Sequence, residues 1–233
     1  STTVCATANS GTLSLAGFTG NILHWEASTD NGTSWANIPN TTNTLNFTNL
    51  SSTTQYRVSV QSGVCAPQYS NIITVTVLPA VTTANAGTDT HICFTTATIL
   101  AANTPTNGTG TWSVLPGAPS AVSFTNANNP NSTVNGLVVG TYQFVWTISN
   151  GTCTDSKDTI TITVDPQTVP GTLSASTTVC ATANSGTLSL AGFTGNILHW
   201  EASTDNGTSW TNIPNTTNTI NFTNLSSTTQ YRV

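Results

Sequence analysis

Positive charge is almost missing from this chain. Among 233 residues the basic side chains are Arg57, Lys157 and Arg232, set against eight acidic ones. Three cations cannot neutralise a run of phosphates, which excludes nucleic acid as a partner. Nor is there a polybasic patch for an anionic lipid surface. Charge of either sign is scarce, at 5% of residues where a soluble domain carries about 25%. No apolar run approaches the length of a membrane span, so no membrane insertion is expected. A signal peptide is also missing; the chain starts on a strand-like segment and reads as a piece of a longer mature protein. No stretch has helical periodicity.

Uncharged polar residues take over the solvating role. Threonine alone makes up roughly a fifth of the chain, far above ordinary usage. Threonine, serine and asparagine favour strands and turns over helices. Trypsin would find three sites, which suits a polymer exposed outside the cell.

A repeat organises the rest. Ser1 to Val58 returns as Ser176 to Val233, offset by 175 residues, with two differences: Ala36 becomes Thr211 and Leu45 becomes Ile220. Near-identity over this length points to recent tandem duplication, so many copies are expected in the parent protein. The period fits two domains of sandwich size. The first spans residues 1–78. Its period-2 segments set Leu13 and Leu15 on one face, then Leu23, Trp25 and Ala27, Leu45 and Phe47, Tyr56, Val58 and Val60, and Ile73, Val75 and Val77. The second spans 79–166, with Tyr142, Phe144, Trp146 and Ile148 on one strand face and Ile160, Ile162 and Val164 on another. Residues 167–233 are a linker and a copy of the first domain lacking the counterpart of Ser59 to Leu78. Such a copy should show an open edge and an exposed core. The Pro-containing joints "VLPAVTTANAG" and "VDPQTVPGT" read as short, semi-rigid spacers. The expected fold is all-β, tandem β-sandwich domains forming an elongated rod or filament.

The five cysteines fit the repeat. Cys5 and Cys65 are 60 residues apart, as are Cys93 and Cys153, while Cys180 copies Cys5. Equal spacing in two dissimilar domains favours the bonds Cys5–Cys65 and Cys93–Cys153, with the partner of Cys180 outside this chain. Closing each such loop would stabilise by roughly 4 kcal/mol in the chain-entropy view. Disulfides imply an oxidising, extracellular setting. Zinc is disfavoured: there is no Cys-x-x-Cys pair, and His24, His91 and His199 are scattered.

One motif invites an enzymatic reading. "STDNGTSW", Ser28 to Trp35, resembles the Asp-box of sialidase propellers and other secreted β-proteins, and it recurs at Ser203 to Trp210. A propeller would repeat it every 40 to 50 residues or so, and such enzymes clamp their substrate with several arginines. A generic glycosidase needs two facing carboxylates. The candidates are Glu26, Asp30, Asp89, Asp155, Asp158 and Asp165. Glu26 alternates with Trp25 and should face solvent, while Asp155 and Asp158 flank Lys157 in a turn. Without an Asp-x-Asp-x-Asp run, calcium has no evident site. No nucleophilic triad or phosphate loop is apparent, so no catalysis and no cofactor are expected.

The motif explains itself as architecture. Asp30 can accept backbone N–H bonds across the turn, Gly32 supplies a positive φ, and Ser28 assists. Trp35 can fold over the hairpin base. Ser203, Asp205, Gly207 and Trp210 repeat the set. Trp25 is read as core, in the place where Ig-like sandwiches pack a tryptophan on their disulfide. Leu50 precedes Tyr56 by six residues, the spacing of a tyrosine corner. Trp146 is read as core of the second domain.

Together these features resemble the tandem Ig-like and PKD-like repeats of giant Bacteroidetes cell-surface adhesins, the family of the gliding-motility adhesin SprB. The resemblance rests on "TVCATANSGTLSLAGFTGNILHWEASTDNGTSW" and "TTQYRVSVQSGVCAPQYSN" in the first domain, and on "ANAGTDTHIC" and "GTYQFVWTISNGTCTDSKDTITITV" in the second. It implies a non-catalytic repeat of a filament at the cell surface, exported by type IX secretion, serving attachment and gliding. Its implied partners are neighbouring repeats of the same chain and a surface polysaccharide or solid substratum. "DTI" at Asp158 to Ile160 resembles that phylum's O-glycosylation motif, with Thr159 as a candidate acceptor; a bare strand-start Asp-Thr is the plainer and preferred explanation. The alternatives are a carbohydrate-binding array of a secreted hydrolase, which needs an exposed aromatic platform, and a self-assembling surface layer or sheath.

Overall fold

The computed structural model describes residues 1–174, 176–181 and 183–233, and every regular element among them is a β-strand. By contact density the chain forms two compact units. The first comprises Ser1–Thr90, Thr96–Leu137 and Thr141–Ile162; the second comprises His91–Thr95, Val138–Gly140 and Thr163–Val233.

Eight strands come first: β1 (Thr2–Cys5), β2 (Ser10–Ser14), β3 (Asn21–Ser28), β4 (Ala36–Ile38), β5 (Thr44–Thr48), β6 (Thr54–Gln61), β7 (Gln68–Tyr69) and β8 (Ile73–Leu78). One sheet runs β1-β8-β6-β3-β4, with β7 also on β6, and β2 pairs with β5 in the other. All pairs are antiparallel except β1 with β8, which run parallel with Thr2 opposite Val75 and Cys5 opposite Leu78. Between the sheets lie Leu13, Ile22, Trp25, Leu45, Phe47, Tyr56, Val58 and Val75. Their alternation with Thr, Ser and Asn along each strand buries one face and wets the other.

One strand departs from simple alternation. Ile22 is opposite Val60 and His24 is opposite Ser59, so Leu23 is the extra residue of a bulge. Ile22 therefore joins Trp25 in the core at 7% exposure, and Leu23 is turned out at 36%. The expected inward trio of Leu23, Trp25 and Ala27 is corrected at its first member.

The next seven strands are β9 (Thr90–Cys93), β10 (Ala97–Ile99), β11 (Thr109–Val114), β12 (Ser123–Phe124), β13 (Thr133–Asn135), β14 (Gly140–Ser149) and β15 (Ser156–Asp165). They form the sheets β10-β13-β12 and β11-β14-β15-β9. Tyr142, Phe144, Trp146 and Ile148 of β14 are fully enclosed. Trp146 lies 5.1 Å from the Trp112 ring, and Gly110 leaves the room, since a Cβ there would come within 2.0 Å of the Trp146 ring.

The stretch after β8 is no spacer. Ala86 has no exposure, and its N–H donates to Asp158 at 2.7 Å while the Ala84 N–H donates to Ser156 at 2.9 Å. These bonds stitch residues 84–86 onto β15, and they place Asp158 on a strand rather than in a turn.

The last six strands are β16 (Thr172–Leu173), β17 (Ser185–Ala191), β18 (Trp200–Ser203), β19 (Thr211–Ile213), β20 (Thr219–Thr223) and β21 (Gln230–Arg232). They form the sheets β16-β17-β20 and β19-β18-β21. Leu190, Trp200 and Ile220 make a smaller core.

The cysteines pair differently from the expectation drawn on spacing. Cys5 is bonded to Cys153, with Cα atoms 5.0 Å apart across a separation of 148 residues. Cys65, Cys93 and Cys180 are free and exposed. The register explains this. The parallel pairing of β1 and β8 carries Cys5 to Leu78, at the end of β8. The turn holding Cys153 meets that same end: its sulfur lies 3.5 Å from the Pro79 carbonyl, and Asn150 donates to that carbonyl at 2.8 Å. Cys65 sits in the turn after β6.

Candidate functional site

The turn "STDNGTSW" joins β3 to β4. The Ser28 hydroxyl donates to Asp30 Oδ1 at 2.7 Å and accepts the Gly32 N–H at 2.9 Å. Asp30 also accepts the Ser34 N–H on Oδ1 at 2.9 Å and the Ser34 hydroxyl on Oδ2 at 2.5 Å. These Ser34 bonds first, then Ser28, hold the Asp30 carboxyl down at about 2. Two residues in succession take positive φ, Asn31 at 58° and Gly32 at 85°. Asn31 tolerates this conformation, and its side chain accepts from Gln55 at 3.0 Å.

Trp35 does more than cap the hairpin. Its indole N–H donates to the Gly32 carbonyl at 3.1 Å, and its ring covers Arg57, whose guanidinium carbon lies 4.1 Å from the ring centre. Tyr69 covers the other side at 4.0 Å. An arginine held between two aromatic faces gains cation–π attraction from both. The register sets Glu26 directly opposite Arg57. Arg57 Nε donates to Glu26 Oε2 at 2.6 Å, while His24 and the Tyr69 hydroxyl approach Oε1 at 3.3 and 3.4 Å.

Glu26 is thus buried, at 9% exposure, where solvent exposure was expected from alternation. It does face away from the Trp25 core, but Arg57 and its flanking rings roof that face of the sheet. Burial pushes the Glu26 carboxyl up, and the bonds from Arg57 and His24 outweigh it, leaving the group below its usual range. A carboxylate so committed to a guanidinium is a poor general acid or nucleophile. Among the described residues no three His, Cys, Asp or Glu side chains come together.

The repeat builds the turn again. Asp205 accepts from Ser203 at 2.8 Å and from the Ser209 N–H and hydroxyl at 2.9 and 2.5 Å. Its carboxyl too is held at about 2, chiefly by Ser209. Gly207 has φ 86°, Trp210 donates to its carbonyl at 3.1 Å, and the Arg232 guanidinium lies over Trp210 at 4.1 Å.

The remaining singled-out residues are distributed through the cores. Trp25 is 2% exposed and donates to the Thr42 carbonyl at 2.9 Å. Tyr56 is 4% exposed, and burial raises its phenol. Trp146 is enclosed, and its indole nitrogen has no hydrogen-bond partner among the described residues. Thr159 is exposed on β15. Sequence reading missed Arg57 and Tyr69 as a pair. The available signal was an arginine opposite a glutamate on neighbouring strands.

The model of the family "Domain of unknown function (DUF8696)" matches residues 1–79 and 169–233, more than half of the chain. The chain belongs to this family. Among solved structures, the three-Ig titin segment I67–I69 in an E-to-A mutated variant aligns with 97% of this chain and 86% of its own, at 11% identity and a TM-score of 0.53. That similarity establishes tandem Ig-like β-sandwiches. The PKD domain of the KIAA 1837 protein aligns over 38% of this chain and 91% of its own, at 28% identity and a TM-score of 0.33. Fibronectin(III)-like modules of CbhA from Clostridium thermocellum align over 70% and 89%, at 12% identity and a TM-score of 0.37. No curated protein matches the chain. A disulfide and an Ig-like fold fit an extracellular domain, and no helix among the described residues is long and apolar enough to cross a membrane.

Proposed function

We propose that the chain is a non-catalytic structural repeat of an extracellular adhesin filament, displayed at the cell surface and serving attachment and gliding. The observation that carries this reading is the recurrence, two changes apart, of a 58-residue Ig-like sequence at a 175-residue offset. Tandem near-identity is what a length-building element needs, since each added copy extends reach without new chemistry. The Asp-box supports the same role: its acceptors are used up inside the turn. Its partners are neighbouring repeats and a polysaccharide or solid substratum, and type IX export belongs to the same proposal.

A sugar-binding array has less support. Trp25, Trp112 and Trp146 are buried, and Trp35 spends a face on Arg57. The test is retention of beads coated with the chain on glass and on polysaccharide films, paired with small-angle scattering. Retention on either surface, together with an elongated scattering profile, is expected. A compact profile, or loss of retention on adding a monosaccharide, would overturn the reading in favour of a globular lectin-like module.

A further inference from the structure

Asparagine is chemically least durable when glycine follows it, because an unsubstituted glycine lets its backbone nitrogen reach the asparagine side chain. The chain holds five such pairs, beginning at Asn31, Asn107, Asn135, Asn150 and Asn206. Four of them are tied down. In both Asp-box turns the glycine N–H donates to a serine hydroxyl, Gly32 to Ser28 at 2.9 Å and Gly207 to Ser203 at 2.8 Å. The asparagine side chains there also accept from glutamines, Asn31 from Gln55 and Asn206 from Gln230. Gly136, which follows Asn135, donates its N–H to the Thr96 carbonyl at 2.9 Å. Asn150 commits its side-chain amide to the Pro79 carbonyl at 2.8 Å. Asn107 differs. It and Gly108 are exposed, and among the described residues neither the Asn107 side chain nor the Gly108 N–H has a hydrogen-bond partner.

We infer that Asn107 is a self-modification site of the folded chain, where both reacting groups are unengaged. The Gly108 nitrogen attacks the side-chain carbonyl carbon of Asn107, and a C–N bond forms. The bond from that carbon to Nδ2 breaks, and ammonia leaves with the proton given up by the Gly108 N–H. Water then opens the cyclic imide at either carbonyl, giving aspartate or isoaspartate. Water is the sole co-reactant, and hydroxide speeds ring closure by removing the Gly108 proton. At the other four pairs a hydrogen bond must break first, so the Asp-box shields the Asn-Gly pair that its own turn requires. The position gives the change a structural consequence. The Thr82 N–H donates to the Asn107 carbonyl at 3.0 Å, and the Thr82 hydroxyl accepts the Thr106 and Asn107 N–H groups at 2.9 Å each. In the isoaspartyl product the backbone to Gly108 runs through the side-chain carbons, and the carbonyl that accepts from Thr82 becomes a free carboxylate. The clasp between Thr82 and the residues leading into β11 then opens. This site is independent of the filament reading.

The test is peptide mapping of the full chain, held in mildly alkaline buffer at body temperature and sampled over days, with chymotryptic cleavage. The Asn107 peptide should gain the mass of an amide-to-acid change and split into aspartyl and isoaspartyl forms. It should do so about tenfold faster than the Asn31 and Asn206 peptides, the factor that one hydrogen bond on the reacting N–H makes in a barrier. In urea all the Asn-Gly pairs should react at comparable rates, which separates the fold from the sequence. S28A should speed Asn31 by about tenfold and leave Asn107 unchanged, and N107A should abolish the fast conversion. Amide exchange at Thr82 should rise in the isoaspartyl fraction. Equal rates at Asn31 and Asn107 in the folded chain would overturn the site, as would faster conversion at Asn135 or Asn150. So would an Asn107 that stays intact in the folded chain while it reacts in urea.

Discussion

Residues 1–58 and 176–233 are the same sequence with two changes, yet they reach different degrees of completion. The turns are superposable bond for bond: Asp30 and Asp205 each take three short bonds from their serines. Trp25 and Trp200 are both buried, and each donates to a threonine carbonyl at 2.9 Å. What differs lies along one edge. Tyr56 is 4% exposed and Val58 2%, and Tyr56 is paired with Ile73 of β8. Arg57 shows 23% of its side chain, Arg232 53%. Local hydrogen-bonded motifs thus form from their own eight residues, while strand β1 and the arginine sandwich form where β7 and β8 are present. The comparison separates what is local from what is cooperative.

Breaking the closing strand should erase the difference. V75D places a charge at a 1% exposed position and should cost the first unit about 4 kcal/mol or more. Hydrogen exchange should then show Thr54–Tyr56 opening as readily as Thr229–Tyr231. Next in size, C5S with C153S should cost about 3 to 5 kcal/mol in the first unit, read by denaturant titration with and without reductant. C180S should change nothing, because Cys180 is free.

A smaller contrast is expected from the arginines. R57A should lose about 2 kcal/mol or more, because it removes the cation from both aromatic faces and leaves the buried Glu26 carboxylate without its guanidinium, and R232A about half as much; paired thermal melts measure the gap. Acid should affect both copies alike. The carboxyls of Asp30 and Asp205 sit at about 2 against an ordinary 3.8. A depressed folded value means their stabilisation is complete above about pH 4 and fades as pH falls through about 2. Carboxyl carbon shifts should titrate together; a difference of more than about 1 unit between the two would show that the missing edge reaches the turn.

Much of this was legible in the chain itself. Period-2 alternation located the cores around Trp25 and Trp146, and Ser28, Asp30, Gly32 and Trp35 described their own turn. Three things were not. The bulge at Leu23 is invisible because alternation carries no marker for an inserted residue. Glu26 was assigned to water because alternation reports which face a residue is on, and says nothing of what covers that face. The bond between Cys5 and Cys153 depends on where the parallel β1–β8 pairing ends, a long-range register that equal spacing cannot encode.

That bond has a mechanical corollary. Cys5 and Cys153 close a covalent ring over 148 residues, so tension drawn through the backbone crosses from one sulfur to the other and bypasses everything between. Fully extended, that segment would release about 500 Å of contour length. While the bond is intact, none of it can be paid out: the core between Cys5 and Cys153 behaves as a knot already pulled tight, and a reductant becomes the agent that sets how far the chain can stretch.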